Sequence, residues 1–280
     1  MVSPDRILIA GAGDVGLMLG AVLSTAGLDV TTLNRSGRTV NDTTSITADL
    51  TDVNALRVAL GAVESFDVVV FTTAPDDRNE PAYSAAYVEA PRTLLTALAH
   101  HPARAVLTST TGVYGDDDGR WITASSPAVP SRPTATIVLE GERALASQIP
   151  TVSVRAGGIY GPGRTSLIER VRSGGVVTSL TGAPHWTNRI HRDDLVAALA
   201  IAAVHPSPPA VAIAVDNEPA PMAMVAAWLA AKLDVTLPVD PSPDTHATGK
   251  RCRNSELKDM GWEPAYPTFR EGYRSLLANI

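Results

Sequence analysis

Cysteine is almost absent: Cys252 stands alone among 280 residues, which excludes an internal disulfide framework and fits a reducing compartment. No apolar run approaches the roughly 18 residues a membrane span requires, so a transmembrane chain is not expected. Basic residues are also short, with 23 Lys and Arg against 29 Asp and Glu. The net charge of −6 leaves no electrostatic footprint for DNA or RNA, and nucleic acid is not an expected partner. Six scattered histidines show no metal-ligand spacing, and the adjacent pair His100 and His101 would diverge on a helix, so no metal is expected. The opening MVSPDRILIA has neither a basic leader nor a small-residue cleavage site, and the expected location is the cytoplasm. A G-x-S-x-G elbow is missing, which argues against one common class of hydrolase.

What is present suffices for a sizeable core, with 45% hydrophobic and 19% charged residues. Short apolar runs alternate with helical patterns. The strands read as Ile7 to Ala10, Val30 to Leu33, a short one before Asp49, Val68 to Phe71, Ala105 to Leu107, Val152 to Val154 and Val211 to Val215. Helices are predicted after the first strand, ending at Gly27, and at 54–60, 82–99, 135–147, 194–203 with Asp193 as cap, 221–233 and 269–278. This is an α/β chain: a Rossmann-type doubly wound parallel sheet with a smaller C-terminal substrate lobe. Residues 1–160 form the dinucleotide-binding domain, to which 187–217 return, while 161–186 and 218–280 form the lobe.

Directly after the first strand stands Gly11-Ala-Gly13-Asp14-Val15-Gly16, opening a helix, the context in which G-x-G-x-x-G means dinucleotide binding. Gly11 permits the tight turn, Gly13 lets backbone approach a diphosphate, and Gly16 lets helix and strand pack closely. About twenty residues on, where an acid would accept the ribose hydroxyls of NAD, the second strand instead ends in Asn34-Arg35-Ser36, with Arg38 close behind. A guanidinium pairs with a 2′-phosphate that an acid would repel, and Asn34 and Ser36 can donate to it, so the expected cofactor is NADP(H). Asp49 and Leu50, after the third strand, and Thr72, Thr73 and Ala74, after the fourth, suit the adenine and ribose. Asp52 reads equally as a helix cap.

Thr108-Ser109-Thr110-Thr111-Gly112-Val113-Tyr114-Gly115 closely resembles the segment around the catalytic Ser/Thr of extended short-chain dehydrogenases/reductases. Three later stretches resemble the same family in the same order: Arg155 to Arg164, Asn188 to Asp194, and Val215 to Pro219. The resemblance implies a Tyr and a Lys spaced Y-x-x-x-K, yet those positions fall on Thr134 and Val138, which cannot supply a proton or hold a ribose as that pair does. In this the chain is similar to an atypical, NAD(P)-dependent epimerase-like subgroup lacking both residues, as are Arg251 to Asn254 and Gly261 to Pro267. By resemblance, Thr110 donates to a substrate carbonyl, and helix pairing makes a homodimer. Tyr114 and Tyr160, in glycine-flanked loops expected at the cleft, are the first substitutes for the missing proton donor. Tyr83 and Tyr87, one helical turn apart, suit either the cleft or the core.

The expected function is NADPH-dependent reduction of a small carbonyl or imine-like metabolite, with orientation contributing most of the catalysis. A non-catalytic NADP(H)-binding regulator and a sugar-nucleotide epimerase or dehydratase are the alternatives.

Overall fold

The run Ile7 to Ala10 is apolar at every position because both of its faces are covered. In the computed structural model, which describes residues 4–40, 42–61, 65–116, 118–177, 182–239 and 245–278, it lies in strand β1 (Arg6–Ala10). Ile7 and Ile9 join a core on one face of the sheet, and Leu8 and Ala10 join another on the opposite face. The chain passes through the glycines into α1 (Asp14–Thr25), then β2 (Asp29–Asn34), β3 (Thr44–Thr47), α2 (Val53–Leu60) and β4 (Val68–Phe71). Gly27, at φ 87°, lets the chain turn back after α1. Asp52 caps α2 by accepting from the backbone N–H groups of Asn54 and Ala55.

Where one helix is predicted over 82–99, the structure has α3 (Glu80–Ser84), a π turn at Ala85–Glu89, and α4 (Ala90–Ala97). Pro91 has no N–H to offer the Tyr87 carbonyl four residues earlier, so the α ladder is interrupted there. Next come β5 (Arg104–Thr110), a 3₁₀ turn at Thr111–Tyr114, β6 (Trp121–Ile122), α5 (Pro133–Ala146), β7 (Thr151–Ala156) and β8 (Gly158–Tyr160). The chain continues through α6 (Ser166–Arg172), β9 (His185–Thr187), β10 (Arg189–His191), α7 (Arg192–Val204) and β11 (Val211–Ala214). The cap of α7 is His191, whose Nδ1 accepts from the Asp193 N–H; Asp193, predicted as the cap, sits in the first turn. Last come β12 (Ala220–Pro221), α8 (Met222–Leu233), β13 (Thr248–Gly249), β14 (Arg251–Cys252), α9 (Ser255–Asp259) and α10 (Phe269–Leu277).

Seven strands form one parallel sheet in the order β11-β7-β5-β4-β1-β2-β3. Helices α1 and α7 cover one face, α2 and α4 the other. A separate core holds the lobe together, with Ile168, Val225, Leu229 and Phe269 fully buried in it. The Asn188 amide ties lobe to sheet: it donates to the Lys250 carbonyl at 2.9 Å and accepts from the Cys252 N–H at 2.7 Å. Asp194 does the same from α7, accepting from the Ala265 and Tyr266 N–H groups at 2.7 and 3.1 Å. Among the described residues no helix is long and apolar enough to cross a membrane.

Candidate functional site

Strand order reverses at β1, which has β2 on one side and β4 on the other, and the chain leaves these strands in opposite directions. That divergence opens a crevice at their carboxyl ends, the general place for ligands in such sheets. A cavity of about 630 Å³ occupies it. Of the residues expected there, Gly11, Gly13, Asp14, Val15, Asn34, Arg35, Ser36, Arg38, Asp49, Leu50, Thr72, Thr73, Ala74 and Thr110 all line this one cavity.

The three glycines divide by cause. Gly11 has φ 79°, and a Cβ there would lie 2.8 Å from the Thr73 side chain; at Gly16 it would lie 2.4 Å from Thr72 Oγ1. Both are small because the protein's own atoms crowd them, and Gly16 lies beneath the cavity rather than on its wall. Gly13 is different. It is exposed, and a Cβ would meet nothing nearer than the Gly11 carbonyl oxygen at 3.9 Å. No side chain caps α1 either, so its first N–H groups point outward with the positive end of the helix dipole. A missing side chain beside unclaimed donors is what a diphosphate requires, so the residues fit a dinucleotide.

At the β2 end, Asn34 is buried and its amide is spent on the loop itself. Its oxygen accepts from the Ser36 and Arg38 N–H groups and the Ser36 hydroxyl at 3.0–3.1 Å, and its nitrogen donates to the Arg38 carbonyl at 2.7 Å. Asn34 therefore templates the 34–38 turn, correcting the expectation that it donates to a phosphate, and the Ser36 hydroxyl proton is likewise engaged. The two guanidinium groups remain. Arg35 reaches across to Asp76, whose carboxyl is held below its ordinary range chiefly by that hydrogen bond. Asp49 accepts from the Thr51 N–H and hydroxyl at 2.8 and 2.7 Å, which lowers its pKa.

Beside Gly13, the Asp14 carboxylate takes Arg164 at 3.0 Å and Arg192 at 3.1 Å. Its charge is thereby offset where an anion would bind. Arg164, the last residue of the Arg155 to Arg164 stretch that carries the family resemblance, also lines the cavity.

The inner end is formed by Thr108, Ser109 and Thr110. Thr110 Oγ1 accepts from the Gly112 N–H at 3.0 Å, which leaves its own proton free to donate. Ser109 donates to Glu142 of α5, and Glu142 holds Arg155 of β7 through contacts of 3.0 and 2.6 Å, both side chains 6% exposed. Tyr114 and Tyr160 do not line the cavity, a correction to their expected role. Tyr114 is 4% exposed, lies beneath the Arg155 guanidinium with 4.7 Å to its ring centroid, and is pushed up by burial. Tyr160 belongs to the lobe core, its ring 4.5 Å from that of Tyr273 and its hydroxyl pressed against Gly272. Burial raises its pKa too.

In their place the cavity wall carries Tyr83 and Tyr87, stacked with centroids 5.8 Å apart. Thr134, at the position the resemblance assigns to Tyr, lines a separate groove with Asn79, Glu80 and Glu140, and Val138, at the Lys position, is fully buried.

Residues 7–214 match the model of the NAD dependent epimerase/dehydratase family. The Escherichia coli (strain K12) protein YeeZ is 29% identical over 209 residues, covering 70% of this chain and 72% of YeeZ. A Methylobacillus flagellatus protein classed as an NAD-dependent epimerase/dehydratase superposes with TM-score 0.82 at 30% identity over 98% of both chains. The Thermus thermophilus UDP-glucose 4-epimerase in complex with NAD shares the fold, with TM-score 0.77 at 20% identity over 98% of each chain.

Proposed function

The chain belongs to the NAD dependent epimerase/dehydratase family, and we propose that within it this protein is an NADP(H)-dependent reductase of a small carbonyl or imine-like metabolite. One observation carries the proposal: the side-chain gap at Gly13 opens onto a cavity whose β2 end carries Arg35 and Arg38 and no acid at the close of the strand.

Gly13 and the first N–H groups of α1 would hold the diphosphate, Arg35 and Arg38 the 2′-phosphate, and Asp49, Leu50 and Thr72 to Ala74 the adenine and its ribose. When bound, the dinucleotide supplies a hydride at the inner end. Thr110 donates a hydrogen bond to the carbonyl oxygen, orienting it and stabilising the charge that develops there. The Ser109, Glu142 and Arg155 chain fixes the backbone from which Thr110 projects. The dinucleotide has to share the 630 Å³ cavity with the substrate, which favours a small one.

Stopped-flow loss of NADPH absorbance with diacetyl, benzaldehyde and 1-pyrroline tests the proposal. Oxidation with at least one is expected; tight NADPH binding without oxidation by any of them defeats it. The family match favours a second reading, sugar-nucleotide epimerase or dehydratase. Conversion of UDP-glucose with no net consumption of NADPH would decide for it.

A further inference from the structure

Reducing a carbonyl to an alcohol takes up a hydride and a proton, and the protein has to deliver the proton. Resting on the reductase reading above, we propose that Tyr87, carried on the π turn, is the residue that delivers it. Three observations lead there.

The first is elimination along the cavity wall. It carries no His, Lys, Cys or Glu among the described residues. Its carboxylates are committed, Asp14 to two arginines, Asp49 to Thr51 and Asp76 to Arg35, and guanidinium groups do not release protons at neutral pH. Tyr83 and Tyr87 are the neutral acids that remain.

The second is position. Both rings pack against the cluster that holds Val113, Val138 and Leu139, directly behind the Thr110 to Tyr114 turn. They therefore line the cavity beside the turn that follows Thr110.

The third is rigidity, and it separates the two tyrosines. A Cβ at Gly141 of α5 would lie 2.3 Å from the Tyr87 carbonyl oxygen, so α5 meets the π turn backbone to backbone at this residue. One residue earlier, the Ala86 carbonyl accepts from Thr73 Oγ1 at 2.8 Å. Tyr87 is thus held from α5 on one side and from the β4 end on the other, as a group acting on a reacting atom has to be. Tyr83, in the preceding turn, serves as the ring that Tyr87 stacks on.

The step balances. The hydride brings its electron pair to the carbonyl carbon, the C=O π pair moves to oxygen, and that oxygen takes the Tyr87 phenolic proton. The phenolate then recovers a proton from water at the cavity mouth, and the dinucleotide is left oxidised. Burial and the neighbouring Tyr83 push Tyr87 up to about 12, so the phenol stays protonated and the rate should be flat from about pH 6 to 10.

Two measurements on the full chain test this. In protein carrying ¹³C-labelled tyrosine, NADP⁺ should shift the Tyr87 ring resonance while 2′,5′-ADP, which lacks the nicotinamide half, should not; shifts at Tyr114 or Tyr160 in place of Tyr87 overturn the assignment. With NADPH and whichever of the two carbonyl probes, diacetyl or benzaldehyde, is reduced, Tyr87→Phe should lose about 10²- to 10⁴-fold in kcat with NADPH affinity within about twofold of wild type, and Tyr83→Phe should lose less than about fivefold; reduction of 1-pyrroline alone, which reacts as an already protonated iminium, would overturn the assignment. A Tyr87→Phe enzyme with wild-type kcat, or a larger loss in Tyr83→Phe, overturns it. Absence of turnover in wild-type protein would overturn the reductase reading as well, and is told apart because the NMR shift would persist.

Discussion

Arg35 and Asp76 grip each other through two parallel hydrogen bonds, 2.9 and 2.6 Å long, joining the ends of β2 and β4 across the mouth of the cavity. Both side chains are more than half exposed, 61% and 68%, so the clasp is weak and readily exchanged. The carboxylate occupies the fork that the 2′-phosphate of NADP(H) would use.

Breaking the clasp should therefore tighten NADPH binding. Asp76→Asn removes a competitor worth about 0.2–1 kcal/mol, and an affinity gain of up to about fivefold is expected with NADH unchanged. Arg35→Asp should weaken NADPH by about tenfold or more. Calorimetry with both nucleotides checks this, and unchanged selectivity in Arg35→Asp would show that the guanidinium does not read the phosphate.

Glu142 and Arg155 form a pair that tolerates no single loss. Each is 6% exposed, so Glu142→Ala strands a buried guanidinium and should cost about 3–5 kcal/mol in urea unfolding. A loss below about 1 kcal/mol would mean that solvent reaches the pair.

The parallel strands were legible because a strand covered on both faces must be apolar throughout, as Ile7 to Ala10 and Val68 to Phe71 are. The glycine motif was legible because its chemistry is local. Side-chain direction in the later loops was not. In β8 successive residues face opposite ways, so Ile159 lines the cavity and Tyr160 enters the lobe core. The Arg35 and Asp76 clasp joins residues 41 apart, and no local signal marks it. Asn34 looked like a donor because its engagement with Arg38 depends on how the turn closes. Tyr83 and Tyr87 had the spacing of one helical face, but only the packing of α5 on the π turn shows which surface that face meets.

Asp216 should make stability fall with pH. It is 3% exposed, and burial raises its pKa to about 8 from an ordinary 3.8. Between those values the folded state holds a proton that the unfolded state has released, so stability declines from about pH 4 to 8 and levels off above. Asp216→Asn keeps an oxygen for the Glu218 N–H and removes the titration. Its melting temperature should exceed wild type by a margin that grows from pH 5 to 8; a constant margin would show that Asp216 does not titrate in this range.

Cys252 should be inert in the folded protein. It is 2% exposed and its thiol is pushed up to about 12 by burial, so almost no thiolate is present at pH 8. Iodoacetamide should label it only at the rate of unfolding, as mass spectrometry would record; rapid stoichiometric labelling of native protein would contradict this.

The measurement that bears most directly on the dinucleotide site is calorimetric titration of wild type and Gly13→Ala with NADPH. The expected result is binding by wild type and a loss of at least about tenfold in Gly13→Ala, ~1.4 kcal/mol, with its melting temperature unchanged, since beyond its chain neighbours the added carbon meets nothing nearer than the Gly11 carbonyl oxygen at 3.9 Å. If wild type gives no heat with NADPH or NADH, or if Gly13→Ala binds as wild type does, the gap at Gly13 is not a diphosphate cradle.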